Sequence, residues 1–330
     1  MLKKKPDAAL AEVMKRYAVA VTDAVMETIN HDDPDDPIAR QYMPSAEELT
    51  ISPQERKDPI GDAAHSPVKG IVHRYPDRVL LMPVHACPVY CRFCFRREKV
   101  GPDGAALSPK ELETALEYIR NAPQIWEVIL SGGDPLMLSP RRLAALMREL
   151  EKIDHVKVIR FHTRVPVADP SRVTPELVAA LDSEKAVYVV VHCNHARELT
   201  DKVRAATRML VKAGIPLLSQ TTLLKGVNDS TEALEDLFRT LTAMRIKPYQ
   251  LHHLDSAPGT GHFRLSIDEG RALTSALRGR LSGIALAEYM LDIPGGFGKV
   301  PAGESWIEKK DGRYVAIDCK GGRHAYPSEE

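Results

Sequence analysis

Strand-length apolar runs recur through the middle of the chain at Val79–Val84, Val128–Leu130, Val156–Phe161, Val187–His192, Pro216–Leu218, Tyr249–Leu254 and Tyr289–Ile293. Between them lie segments whose apolar residues repeat with helical spacing. Several of these open on a cap. Ser108-Pro109-Lys110-Glu111 supplies an N-cap hydroxyl, a proline at the first helical position and a glutamate at the third, which is a capping box. Ser139-Pro140 and Thr174-Pro175-Glu176 repeat the device. Such alternation argues for an α/β fold with a parallel sheet and helical crossovers. Six or seven units of this kind fit an open barrel better than a doubly wound sheet, although the pattern alone leaves both standing. In a barrel, chemistry belongs at the C-terminal ends of the strands. Residues 1–70 read as an N-terminal helical region with an irregular stretch at His31–Pro37, residues 71–293 as the barrel, and residues 294–330 as a loop with a short C-terminal extension.

Cys87-Pro88-Val89-Tyr90-Cys91-Arg92-Phe93-Cys94 follows the first of those runs and places three thiols at C-x₃-C-x₂-C spacing. Cubane iron–sulfur clusters are normally held by four cysteine thiolates. Three close thiols without a fourth therefore suggest a cluster with one open iron. A zinc site and a disulfide are the other readings. Zinc usually takes C-x₂-C pairs and four ligands, and no second pair follows downstream; a disulfide would leave one thiol over. Cys193 and Cys319 are isolated, so no disulfide framework is present. Lys and Arg number 45 against 45 Asp and Glu, a balance that gives no electrostatic footprint for nucleic acid or an anionic membrane. Glu12, Lys15, Arg16 and Asp23 interrupt the alanine-rich start where a signal peptide needs an apolar core. No run approaches transmembrane length. The expected location is the cytoplasm.

Pro294-Gly295-Gly296-Phe297-Gly298-Lys299 follows the last run. Glycines let a backbone approach a ligand closely, and their N–H groups can cradle a phosphate. A lysine ending such a loop could bind phosphate or form a Schiff base with an aldehyde cofactor. The order of a P-loop is missing, and a flexible surface turn accounts for the same residues.

Taken together, Cys87–Cys94 with Phe95-Arg96-Arg97, the upstream His73-Arg74-Tyr75-Pro76-Asp77-Arg78, Ser131-Gly132-Gly133-Asp134-Pro135 and the glycine–lysine loop resemble the lysine 2,3-aminomutase family of radical S-adenosylmethionine (SAM) enzymes. The resemblance extends from Asp58 to Pro301, with the motifs in the family's order. It implies a partial (β/α) radical SAM barrel, a [4Fe–4S] cluster on Cys87, Cys91 and Cys94, SAM on the open iron, and pyridoxal 5′-phosphate (PLP). Lys299 matches the lysine that holds PLP. Arg74, Tyr75 and Arg78 match the segment near its phosphate, where cationic forks make chemical sense. Arg96 matches the residue that pairs with the substrate carboxylate. Asp255 and Asp292 match two carboxylates that hold the ε-ammonium of lysine. Ser131, Gly132, Gly133 and Asp134 correspond to the segment beside the SAM amino group, and Arg164, His192 and Gln220 to polar SAM contacts. His192 could equally be a satisfied core histidine, and Phe93, expected near the adenine, a packing residue.

The implied reaction moves the amino group of L-lysine from C2 to C3, after a 5′-deoxyadenosyl radical removes hydrogen from the β-carbon. A reductant such as flavodoxin or ferredoxin and a homo-oligomeric state are implied as well. Two departures stand out. The longer relatives carry a C-terminal cysteine cluster that binds zinc, whereas only Cys319 lies in that region here, so no structural zinc is expected. Phe95-Arg96-Arg97 and His252 look more like the shorter relatives that serve elongation factor P, yet those typically lack the aspartate that stands here as Asp292. The physiological role and the stereochemistry stay open, and arginine or ornithine remain alternative substrates.

Overall fold

In the computed structural model, which describes residues 8–101, 106–310 and 313–326, the chain starts with short helices α1 (Ala8–Arg16), α2 (Asp23–Met26) and α3 (Pro37–Tyr42). A hairpin of β1 (Ile71–Tyr75) and β2 (Arg78–Val84) follows. Strands and helices then alternate through α4 (Pro109–Arg120), β3 (Glu127–Gly132), α5 (Pro140–Glu151) and β4 (Val158–Thr163). The short α6 (Val165–Ala168) and α7 (Pro175–Ala179) lead to β5 (Ala186–His192), α8 (Asp201–Lys212) and β6 (Leu217–Thr222). The series closes with α9 (Thr231–Ala243), β7 (Ile246–His252), α10 (Ile267–Arg278) and β8 (Glu288–Ile293), and β9 (Gly298–Pro301) folds back on β8.

These strands form one sheet in the order β1 to β9, parallel from β2 to β8 and antiparallel at both edges. The sheet curls until its ends face each other. The Tyr75 hydroxyl on β1 accepts a hydrogen bond from the Lys299 amide on β9 at 2.7 Å, and Arg74 pairs with Asp292 on β8 at 3.0 Å. Side chains rather than a backbone ladder thus span the seam, and the result is a partial barrel.

Local chemistry accounts for the frame. Ser108 and Glu111 make the expected capping box of α4, and Ser139 and Thr174 cap α5 and α7 through their side chains. On α5, Leu143, Leu146, Met147 and Leu150 form one buried stripe, the helical repeat that packs a crossover onto a sheet. Strand residues alternate between faces. Phe161, Val191 and Leu251 pack into the core beneath the helices, while His162, His192 and His252, each one residue along, point into the barrel.

Three features depart from the sequence expectation. The strand before the cysteines is the second of the sheet, because Ile71–Tyr75 makes an antiparallel partner for it. Beyond Tyr42 the N-terminal region has two 3₁₀ helices, Ala46–Leu49 and Ala63–His65, and otherwise runs as an irregular strap of turns and bends. After β9 the chain forms a separate antiparallel sheet of β10 (Ile307–Lys310), β11 (Arg313–Ile317) and β12 (Arg323–Tyr326). Among the described residues, no helix is long and apolar enough to cross a membrane.

Candidate active site

A cavity of about 620 Å³ fills the inside of the curl. At one end lies the loop after β2 with Cys87, Cys91 and Cys94. That loop is held from two sides. On the sheet side, the Gly133 amide donates to Val84 O and the Asp134 amide to Ala86 O, both at 2.8 Å. A Cβ at Gly133 would lie 2.4 Å from Ala86 O, so only glycine lets the two backbones meet there. On the other side, the Tyr90 amide donates to Ala20 O and the Arg92 amide to Gln41 O. Arg92, between Cys91 and Cys94, and Arg97, three residues after Cys94, both pair with the fully buried Glu48.

Asp134 sits at the end of β3, where its carboxylate accepts from Leu136 N, Thr163 Oγ1, Arg164 N and Val165 N at 2.6–3.1 Å. It ties the end of β3 to the end of β4, and its oxygens are taken by the protein. Arg164 reaches from there to Cys91 Sγ at 3.3 Å, with Glu198 and Gln41 holding its other nitrogen. Burial pushes the Cys94 thiol up to about 11 and raises Cys87 and Cys91; neighbouring thiols add to the shifts of Cys94 and Cys87, and Glu198 to that of Cys91. A cubane takes each thiolate on a different iron, and so suits three sulfurs around one end of a cavity.

Above the cysteines, His162, His192 and His252 line the cavity, and the Nε2 atom of each is buried without a partner in the protein. Burial pushes His192 down to about 3 and holds the other two well below the usual imidazole range. All three are neutral at ordinary pH. Buried polar atoms rarely stay unpaired, so these nitrogens are free to bond a ligand or water in the cavity. Gln220 lies beside His192 in the β5–β6 register, and the Phe93 ring packs edge-on to His192 with centroids 5.9 Å apart.

Another wall of the cavity is a chain of alternating charges that crosses the seam and reaches the cysteine loop at Arg96. Asp292 and Lys299 face each other on β8 and β9, and the Lys299 ammonium donates to Asp292 Oδ2. Asp292 Oδ1 accepts from Arg74 Nη1 at 3.0 Å. Arg74 Nη2 continues to Asp62 Oδ1 at 3.1 Å, and Asp62 Oδ2 accepts from Arg96 Nε and Nη2 at 3.0 and 2.7 Å. The Asp255 carboxylate lies in the same cavity and has no hydrogen-bond partner among the described residues. Burial raises its pKa to about 7, against the pull of Lys299 and with the help of Asp292. Arg78 stacks over the Tyr75 ring at 3.7 Å and pairs with Asp77 at the rim.

The structure therefore brings Cys87, Cys91, Cys94, Arg74, Tyr75, Arg78, Arg96, Ser131, Gly132, Gly133, Asp134, Arg164, His192, Gln220, Asp255, Asp292 and Lys299 around one cavity. The glycine loop is a surface turn, with Phe297 80% exposed, while Lys299 at its foot turns inward. Asp62 was not anticipated. It stands in the irregular strap, outside any motif, and its partners lie 12 and 34 residues away.

A sequence profile of the radical SAM superfamily matches residues 81–238. The chain is 37% identical to an L-lysine 2,3-aminomutase of Clostridium subterminale over 93% of its own length and 74% of the relative's. It is 39% identical to that of Acetoanaerobium sticklandii (91% and 72%) and 36% to that of Escherichia coli (87% and 84%). Among solved structures, Streptococcus suis SuiB bound to S-adenosylmethionine matches at a TM-score of 0.50 and 14% identity, covering 66% of this chain and 51% of that one, a likeness of fold alone. Membership implies a [4Fe–4S] cluster and SAM, and the enzyme is an isomerase of the aminomutase kind. The chain belongs to the lysine 2,3-aminomutase family of radical SAM enzymes.

Proposed function

We propose that the protein is a PLP-dependent L-lysine 2,3-aminomutase that converts L-lysine to β-lysine. The observation that carries this reading is the seam: an inward-facing lysine amine on Asp292, a second, unpartnered carboxylate in Asp255, and guanidinium groups from Arg74, Arg78 and Arg96 on the same cavity. That donor set fits PLP, with Lys299 at its aldehyde carbon and Arg74, Tyr75 and Arg78 for its phosphate. It fits lysine too, because two carboxylates offset the desolvation of an ammonium and would repel the side chain of glutamate. When bound, PLP supplies the carbonyl that activates the amino group for migration, and the cluster with SAM supplies the radical.

The protein's part is positioning and proton management. Asp292 Oδ2 is placed to take the proton that Lys299 Nζ loses when it acts as a nucleophile. Once that proton has passed on to solvent, Asp292 is again a carboxylate and would join Asp255 in holding the substrate ammonium. Arg96 orients the substrate carboxylate by a planar fork. His192, Gln220 and the Ser131–Asp134 segment would hold SAM, and Arg164 steadies Cys91 through its hydrogen bond to the sulfur. A flavodoxin- or ferredoxin-like carrier would deliver the electron.

Borohydride treatment of the PLP-loaded protein tests the reading. The expected result is PLP fixed on Lys299, and a Lys299→Ala protein that loses turnover yet still cleaves SAM under reductant. Labelling at another lysine such as Lys225 contradicts it.

A further inference from the structure

We propose that Asp62 is a place-holding carboxylate on Arg96, and that it sets how tightly the site takes the carboxylate group of an amino-acid substrate. The inference rests on the reading that Arg96 receives that group. Arg96 offers Nε and Nη2 to a single oxygen of Asp62 at 3.0 and 2.7 Å. This is the edge of a guanidinium that grips a carboxylate as a fork. The same aspartate takes Arg74 with its other oxygen, so one carboxylate offsets two largely buried cations.

Asp62 is held in place by its own backbone. Its amide and that of Ala63 both donate to the Asp58 carboxylate at 2.8 Å, and Ile60 O accepts from Arg74 Nη2 at 2.7 Å. Gly61 has φ +68, and a Cβ there would lie 2.7 Å from Gly295 C and Gly296 N. The turn that carries Asp62 therefore packs backbone to backbone on the loop that leads to Lys299. An acid fixed this firmly stays near Arg96 when a ligand arrives.

A substrate carboxylate reaching Arg96 meets a negative charge already seated there. It must share the guanidinium or displace Asp62 onto Arg74 alone. Either outcome makes binding weaker than Arg96 by itself would allow, because like charges brought together in a poorly solvated site repel strongly. Removing the charge of Asp62 loosens the Arg96 side chain, but it lifts that repulsion, and the electrostatic gain is the larger effect. The penalty falls on the substrate's carboxylate, so a ligand without one escapes it.

Equilibrium dialysis of labelled L-lysine and L-lysinamide against the cofactor-loaded enzyme, without reductant, reads this directly. Asp62→Asn should tighten lysine by at least about tenfold while lysinamide changes less than about twofold, a difference close to 1.4 kcal/mol. Asp62→Ala should act in the same direction and serves if the asparagine variant does not fold. Asp62→Glu keeps the charge and should bring no tightening. In turnover the gain of the neutral variants should appear in KM rather than kcat. Lysine binding that is unchanged or weaker in the neutral variants, or equal shifts for both ligands, overturns the proposal. Arg96→Lys separates the two levels: if it weakens lysine and spares lysinamide, the assignment of Arg96 holds and Asp62 alone is being judged. If it weakens neither, the assignment fails and the proposal falls with it.

Discussion

Asp292 holds Arg74 with one oxygen and Lys299 with the other, at a side-chain exposure of 2%. Replacing it by asparagine leaves two cations facing each other across the seam. Removing one partner of a buried charge pair typically costs about 3–5 kcal/mol, so lysine kcat/KM should fall by roughly two to four orders of magnitude in Asp292→Asn. Iron content should be retained, since Asp292 bonds to Arg74 and Lys299 and not to the cysteines themselves. A variant that turns lysine over normally would show that the seam carboxylate is not in the substrate's path. Asp255 gives a pH signature. Burial, with Asp292 adding to it, raises its pKa to about 7 in the free protein, so below that value it is largely neutral and offers an ammonium no charge. Lysine binding should therefore weaken as pH falls from 8 to about 6, where the carboxylate protonates. Asp255→Asn should bind weakly and without that pH dependence. A wild-type KM that is flat over this range contradicts the assignment. The cysteines were legible in the sequence because their spacing carries meaning on its own, whereas Lys299 was picked out only by the resemblance of its surroundings to the family, its loop alone reading equally as a surface turn. Asp62 was not legible, because an aspartate in an irregular stretch acquires its meaning only from Arg74 and Arg96 in space.

The loop bearing the cysteines is built from both ends of the chain's order. Gly133 and Asp134 zip it to the sheet, and Glu48 clamps Arg92 and Arg97 from the N-terminal strap. Glu48→Gln leaves two guanidiniums buried with no counter-charge, a loss on the order of 3–5 kcal/mol. The expected outcome is a lower thermal midpoint and faster loss of iron from the reconstituted protein, with Lys299 still open to borohydride fixation of PLP. Full cluster retention in Glu48→Gln would show that the strap does not hold the loop. The strand–helix alternation was readable from apolar periodicity because parallel strands are covered on their outer face by helices. The β1 strand escaped because His73 and Arg74 break its apolar run, and it is paired as an edge. The sheet of β10 to β12 escaped for a related reason. Ile307-Glu308-Lys309 and Tyr314-Val315-Ala316 pack on no helix layer, and Ile307 and Tyr314 remain exposed.

Across the whole molecule, one seam serves two purposes. The barrel is closed not by a backbone ladder but by Tyr75 to the Lys299 amide and Arg74 to Asp292, and these same side chains form the charged wall of the cavity. The three cysteines and Lys299 thus line a single cavity, so that a radical generated at a cluster there would arise in the same space as the substrate. The central claim is that nitrogen migrates within lysine in that space. Anaerobic incubation of the reduced, cofactor-loaded enzyme with L-lysine labelled by ¹⁵N at the α-amino group, followed by NMR of the products, tests it most directly. The account predicts β-lysine with the label bonded to C3. Label remaining only at C2, or glutamate converted faster than lysine under the same conditions, would contradict it.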